Sequence, residues 1–149
     1  MLGCVLRVQS KTRDVETLLK ASGLKPIVVF RKGKPRAPGR SNVNRQSGFN
    51  VDVSRGDGVL ERQVLDAVRF LRRHAGGVSR LRRHEQCGRM TLDFGIFDRT
   101  TEETPWPSFH LPASLIELAG KHRIDIELSF YGPGSLKPAN RRLQPTAAV

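Results

Sequence analysis

The side chains that most often act as nucleophiles, bases or metal ligands are sparse in this chain, which has two cysteines and four histidines. Cys4 and Cys87 lack a Cys-X-X-Cys partner, and no two histidines stand at the short spacing that zinc sites use. Catalytic triads are defined by geometry, so spacing alone identifies none here. We therefore predict no catalytic residue, no metal ligand and no bound cofactor. The histidines are His74, His84, His110 and His122.

Motif-like stretches are explained by local structure. Asp93-Phe94-Gly95 matches the letters of the kinase magnesium motif, but the chain lacks a Gly-rich nucleotide loop and a His-Arg-Asp loop. An acid and base pair among Asp93, Asp98, Asp125 and Glu127 is conceivable, yet charged residues on the wet side of a sheet are normally solvated. We predict that the protein is not an enzyme.

The large net positive charge is the unusual feature of this sequence. The chain has 26 Lys+Arg against 14 Asp+Glu, a net charge of +12. Nineteen of the basic residues are Arg, whose guanidinium matches phosphate oxygens and raises nucleic acid as a partner. An Arg-rich composition also arises in GC-rich genomes without any ligand, and we favour this interpretation.

Length and composition exclude several classes of protein. The 149 residues suit one domain, which we place at residues 1–131, with a disordered tail at residues 132–149. No apolar run approaches the ~18 residues of a membrane span, and the N-terminus lacks a secretory signal. Two cysteines cannot form a disulfide scaffold. We expect a cytoplasmic protein with no membrane contact.

Apolar periodicity predicts the element order β-α-β-β-α-α-β-α-β. Clean alternation in most strands indicates a sheet with one face on helices and one face toward water. The predicted fold is a two-layer α+β sandwich related to ferredoxin-like folds, with a mostly antiparallel five-stranded sheet and helices on one face. We expect Thr12 to cap the first helix, Gly76-Gly77 to interrupt the second and Gly120 to end the last.

Six segments together carry a family resemblance: LRVQS, VVFRKGKPR, GFNVDVS, QVLDAVRFLRRH, LDFGIFDR and LPASLIELAGKHRIDIELSFY. Over about residues 4–131 the chain resembles a bacterial family of small domains of unknown function. The resemblance implies a compact α+β fold and a bacterial cytosolic origin, and it carries no activity. Small bacterial domains of this kind include immunity- and antitoxin-like partners, so by analogy of class we expect a role of this type.

Two surfaces are candidates for binding. The predicted wet face of the sheet carries several carboxylates and suits a basic protein partner or a homodimer contact, and a protein partner is our leading hypothesis. The alternative is a nucleic-acid-binding module without sequence preference, which would use an Arg-rich loop and helix face. The protein surface comprises Asp93, Asp125, Glu127 and Tyr131, and the nucleic-acid surface comprises Arg31, Lys32, Lys34, Arg36, Arg69, Arg72, Arg73 and Arg80. Trp106 is an exposed anchor or, as we favour, a lid over the core.

Overall fold

The computed structural model describes residues 3–36, 39, 41–55, 58–97 and 108–132. Trp106 and residues 133–149 of the predicted tail lie outside these residues. The element order agrees with the predicted one. The elements are β1 (Cys4–Ser10), α1 (Glu16–Ser22), β2 (Val28–Phe30), β3 (Ser47–Asp52), α2 (Leu60–Arg73), α3 (Ala75–Arg83), β4 (Cys87–Phe97), α4 (Ala113–His122) and β5 (Ile124–Tyr131).

The sheet has the strand order β2-β3-β1-β4-β5. The first four strands pair antiparallel, in the arrangement of a ferredoxin-like fold. The fifth strand lies beside β4 and runs parallel to it, because α4 carries the chain back along the sheet between them. The expected mostly antiparallel α+β sheet is thereby confirmed.

The core lies between one face of the sheet and the helices. On β1, Cys4, Leu6 and Val8 are fully buried and alternate with half-buried side chains. Leu6 stands opposite Val51 of β3 and Leu92 of β4, so the same face continues across the central strands. The helices cover it with leucines, each of whose burial contributes about 1.5–3 kcal/mol. These include Leu18, Leu71, Leu81 and Leu115.

Helix α1 begins later than the predicted cap at Thr12. The backbone N–H of Thr17 donates to Asp14 Oδ1 at 3.1 Å, and the Thr17 hydroxyl also donates to the Asp14 carboxylate. The carboxylate thus satisfies a free N–H of the first turn, while Thr12 Oγ1 accepts from the N–H of Asp14. Hydrogen bonds from Thr17 lower the pKa of Asp14.

The other two helix boundaries also differ from expectation. The break between α2 and α3 falls at His74, and both Gly76 and Gly77 lie inside the first turn of α3. Helix α4 continues through Gly120 and ends at His122, and the following residue, Arg123, adopts a left-handed conformation with φ of 53°. The N–H of Arg123 donates to the Gly120 carbonyl. The helix therefore extends past Gly120, which was expected to end it, and an arginine takes the left-handed position at its C-terminus.

Gly77 marks the closest approach between α1 and α3. A Cβ at this position would collide with the backbone oxygen of Ser22, at the end of α1. A Cβ at Gly76 would meet only the far end of the flexible Arg80 side chain, at 3.4 Å. The two adjacent glycines therefore serve different purposes, and only Gly77 is required for packing.

We predict that Gly77→Ala lowers the free energy of unfolding by about 1–3 kcal/mol, because the helices must separate. Gly76→Ala should raise it by up to about 1 kcal/mol, since alanine is the better helix former. Urea unfolding followed by circular dichroism measures both. Equal effects of the two substitutions would contradict the helix contact.

Candidate functional site

The open face of the sheet carries the side chains that the alternation predicted. Arg7 of β1 stands opposite Asn50 of β3 and Thr91 of β4. Thr91 stands opposite Asp125 of β5, and the next open-face pair along the strands is Asp93 with Glu127. The polar residues of the central strands and of β5 therefore form one continuous surface.

Arg7 holds the middle of this surface together. Its Nη2 lies 2.5 Å from Asp93 Oδ2 and 3.1 Å from Glu127 Oε1. The hydroxyl of Ser129 donates to the second oxygen of Asp93 at 2.5 Å. Asp93 is largely buried in this cluster, with 15% of its side chain exposed. One guanidinium thus links the central strand to β4 and β5.

The predicted protein-binding surface therefore carries less net negative charge than its three carboxylates alone would give it. Asp93 and Glu127 share Arg7, and Asp125 lies 3.4 Å from Arg89 Nε. Tyr131 stands at the end of β5 opposite Phe97. The structure brings the three carboxylates to one face, and each of them has a cation beside it.

The predicted nucleic-acid residues fall into two groups. Four lie in the connection between β2 and β3, and four lie on helices α2 and α3. Several of them are already engaged, since Arg31 pairs with Glu16 and Arg69 pairs with Asp66. Arg80 donates to the Ala21 carbonyl at 2.6 Å and thereby satisfies the end of α1. Arg72 and Arg73 remain exposed on α2.

The connection from β2 to β3 is an extension of their hairpin. Pro35 and Val43 form an isolated antiparallel bridge, and the N–H of Arg36 donates to the Asn42 carbonyl at 2.9 Å. We call the connection, residues 31–46, the basic hairpin. Its sequence of prolines, glycines and cations predicted a loop or the fraying end of a hairpin, and hydrogen bonds between its two arms connect its described residues.

Cation-lined cavities surround the base of the basic hairpin, and the sequence analysis did not predict them. Arg45 lines three of these cavities, and Arg36 lines two of them. Lys11 and Arg13, from the turn after β1, line the third together with Lys32. Among the described residues, no Asp or Glu lines any of the three. Folding thus joins two distant stretches of cations that the sequence separates.

Strand β2 forms one edge of the sheet and is unusually apolar on its outside. Ile27, Val28 and Val29 are 56%, 49% and 36% exposed, and Val43 of the basic hairpin is 48% exposed. The strand pairs with β3 on one side, and no strand of the described residues pairs with its other side. Edge strands of stable monomers are usually protected by charged side chains or bulges.

The cysteines show the features of structural thiols. Burial raises the pKa of Cys4 well above its ordinary value, and the nearby Asp93 raises it further. Burial also raises the pKa of Cys87. Cys4 stands opposite Phe94 and Cys87 opposite Ser10, so the two lie toward opposite ends of the paired strands and both are free. Neither thiol is activated as a nucleophile.

Among the described residues, no three His, Cys, Asp or Glu side chains come together as a metal site. Within the same residues, no helix is long and apolar enough to cross a bilayer.

We predict that the coupling between Arg7 and Asp93 is about 1 kcal/mol in a double-mutant cycle with Arg7→Met and Asp93→Asn. The matched cycle for Arg89 and Asp125 should give less than about 0.5 kcal/mol, because both side chains are about two-thirds exposed. Urea unfolding of the variants measures both values. A stronger coupling in the exposed pair would contradict the central place of Arg7.

His122 provides a pH-dependent prediction. The side chain is buried at the end of α4, its Nε2 has no partner among the described residues, and burial lowers its pKa from 6.5. The unfolded chain then binds the proton more readily, so stability should fall as the pH drops below about 6.5. His122→Leu should flatten this part of the pH profile of unfolding, whereas His110→Leu, at an exposed position, should leave it unchanged. Two identical profiles would contradict the role of His122.

The comparison with protein families agrees with this architecture. A family model described as "Domain of unknown function (DUF4279)" matches residues 2–133, which include every described strand and helix. No match was found among curated proteins or among solved structures. A ferredoxin-like sheet extended by α4 and β5, with its basic hairpin, is thus the form taken by a chain that belongs to the DUF4279 family of domains of unknown function.

Proposed function

We propose that the protein is a non-enzymatic binding domain that docks a partner protein along the outer edge of β2. The observation that carries this proposal is the exposure of Val28 and Val29 on the edge strand β2 and of Ile27 immediately before it. An extended partner segment that adds to this edge would receive main-chain hydrogen bonds and cover the apolar side chains.

The flanks of β2 specify the chemistry of the partner. Lys25 precedes the apolar stretch, and Lys32 and Lys34 follow it, all three with exposed side chains. Arg31 lies beside them but is paired with Glu16. A partner strand with apolar residues in its centre and carboxylates at both ends would match this distribution of charge.

A second copy of the chain matches the edge less well. Antiparallel pairing of two β2 strands centred on Val29 would bring Lys25 of each copy next to the lysines after the other copy's strand. Like charges in such positions destabilise pairing. An acidic partner removes this repulsion, so we propose a different protein as the occupant, in an immunity- or antitoxin-like role.

The ion pairs of the open face and the state of the thiols support the same proposal. The three carboxylates that we expected to attract a basic partner each have an arginine beside them. Both cysteine thiols have raised pKa values and stay protonated at neutral pH. The exposed edge of β2 is therefore the better candidate for recognition, and binding the better candidate for function.

We predict that a short peptide of alternating Val and Thr with Glu at both ends shifts the backbone amide resonances of residues 27–30. The same peptide with Lys at both ends should bind about tenfold more weakly, since several cross-strand charge pairs of about 0.2–1 kcal/mol each change sign. Nitrogen-proton correlation spectra of the full chain measure both peptides.

Val28→Lys should abolish the shifts, because it places a charge in the apolar centre of the edge. Leu65→Lys is the matched control, since Leu65 is 57% exposed on α2, away from β2. Equal binding of the acidic and basic peptides, or shifts located on β5 instead of β2, would refute the docking site. Self-association that Val28→Lys removes would identify a second copy as the occupant and overturn the acidic partner.

A further inference from the structure

A cavity of about 360 Å³ lies on the open face, between the basic hairpin and strands β1, β2 and β3. We infer that this cavity binds an anionic ligand with a planar ring, of the nucleoside phosphate class. The cavity shares Val28 with the proposed protein-docking edge, but it is lined by side chains of the sheet face and of the basic hairpin, whereas docking uses the outer backbone of β2. Its volume is in the range of small-ligand sites.

Phe30 supplies a surface for a ring. It stands opposite Gly48 in the β2–β3 pair, and a Cβ on Gly48 would lie 2.8 Å from Phe30 Cζ and collide with the Val8 carbonyl. Gly48 therefore allows the phenyl ring to lie close against the backbone of the sheet. The ring is half-buried and lines the cavity. A nucleobase stacks favourably on an aromatic side chain in such a position.

Two side chains lining the cavity have polar atoms without partners. Asn50 Oδ1 and Arg7 Nε are buried, and neither has a hydrogen-bond partner among the described residues. The two residues stand directly opposite each other in the β1–β3 pair. Turning the Asn50 amide toward a ligand would break no hydrogen bond of its oxygen. Asn50 can therefore bond the polar edge of a base without the free-energy penalty of a lost hydrogen bond.

The cations of the cavity define the orientation of the ligand. Arg36 and Arg45 line it from the hairpin side, and within the described residues neither has a carboxylate partner. Arg7 is neutralised by Asp93 and Glu127, which belong to β4 and β5. An anionic group is therefore favoured at the hairpin end, with the ring over Phe30 and Asn50.

The neighbouring cavity offers a continuation for a longer ligand. It shares Arg45 and Gln46 with the first cavity and adds Lys11, Arg13 and Lys32. Successive phosphates of a single strand could follow these cations. A free nucleotide and the end of a single strand thus present the same chemistry to the Phe30 cavity, and the experiment must separate them.

The test is calorimetric titration of the full chain with adenosine 5′-monophosphate, adenosine and ribose 5-phosphate. We expect the nucleotide to bind at least about tenfold more tightly than either part, because the stacking surface and the cations both contribute. No binding of the nucleotide at millimolar concentration would overturn the inference. Equal binding of ribose 5-phosphate would overturn it as well, since the ring would then be irrelevant.

Variants locate the binding on the molecule. Arg36→Gln with Arg45→Gln should weaken nucleotide binding at least about tenfold, since it removes two charge-assisted contacts. Arg72→Gln with Arg83→Gln removes the same charge from exposed positions on α2 and α3 and should leave binding unchanged. Equal losses in the two double variants would show attraction by net charge alone and overturn the site.

Phe30→Leu tests the stacking surface separately. It should reduce binding of the nucleotide at least about fivefold and leave the weak binding of ribose 5-phosphate unchanged. Nitrogen-proton correlation spectra show that each variant is folded. An unchanged affinity for the nucleotide in folded Phe30→Leu would contradict the role of the ring.

A short single-stranded oligonucleotide separates the two sources of the ligand. Tighter binding than the mononucleotide, lost on Lys11→Gln with Arg13→Gln and weakened steeply by salt, would support the site and identify a strand that follows the second cavity. Equal affinity would support a site for a single nucleotide. Binding of the oligonucleotide that survives Arg36→Gln with Arg45→Gln would overturn the inference.

Discussion

The charge distribution of the open face depends on the position of Arg7 on the central strand. Its side chain lies between the arginines of the basic hairpin and the carboxylates of β4 and β5, and it pairs with Asp93 and Glu127. The acidic half of the face is neutralised within the chain by this contact. Apart from Arg7 itself and from Arg31, which pairs with Glu16, the cations that lie around the basic hairpin and its cavities have no carboxylate partner among the described residues. Part of the +12 net charge of the chain therefore comes from cations that lie together around the basic hairpin and have no carboxylate partner among the described residues.

Two glycines allow close approaches between elements of the fold. Gly48 lets Phe30 lie against the sheet, and Gly77 lets α3 approach the end of α1, where Arg80 binds the Ala21 carbonyl. The helix layer in turn supports β1, whose buried residues alternate with Arg7 and Gln9 on the open face. A rigid sheet thus presents the cavity and the edge of β2, and the basic hairpin extends beyond it. The proposed binding function rests on this division.

The sequence was sufficient for the element order and for the faces of the strands, because burial of one face imposes alternation. The alternation of Cys4, Leu6 and Val8 with polar or half-buried residues coincides with β1, and the alternation from Ile124 to Tyr131 coincides with β5. Helix boundaries were less predictable, because local hydrogen bonds determine them. Asp14, and not Thr12, accepts from the first turn of α1, and Arg123, and not Gly120, follows the last turn of α4. The cation-lined cavities depend on the register of β1 against β3, which places Lys11 and Arg13 around the same cavity as Arg45. The sequence alone does not specify this register.

From these contacts we expect positive potential to be concentrated at the basic hairpin, because Arg7 neutralises the acidic half of the face. The most direct measurement uses paired nitroxide probes of opposite charge and compares the proton relaxation that each induces at every backbone amide. We expect a strong excess of relaxation by the anionic probe at residues 27–36 and 41–46, and nearly equal effects of both probes along β5. A marked preference of β5 for the cationic probe, or an anionic excess spread evenly over the surface, would contradict it.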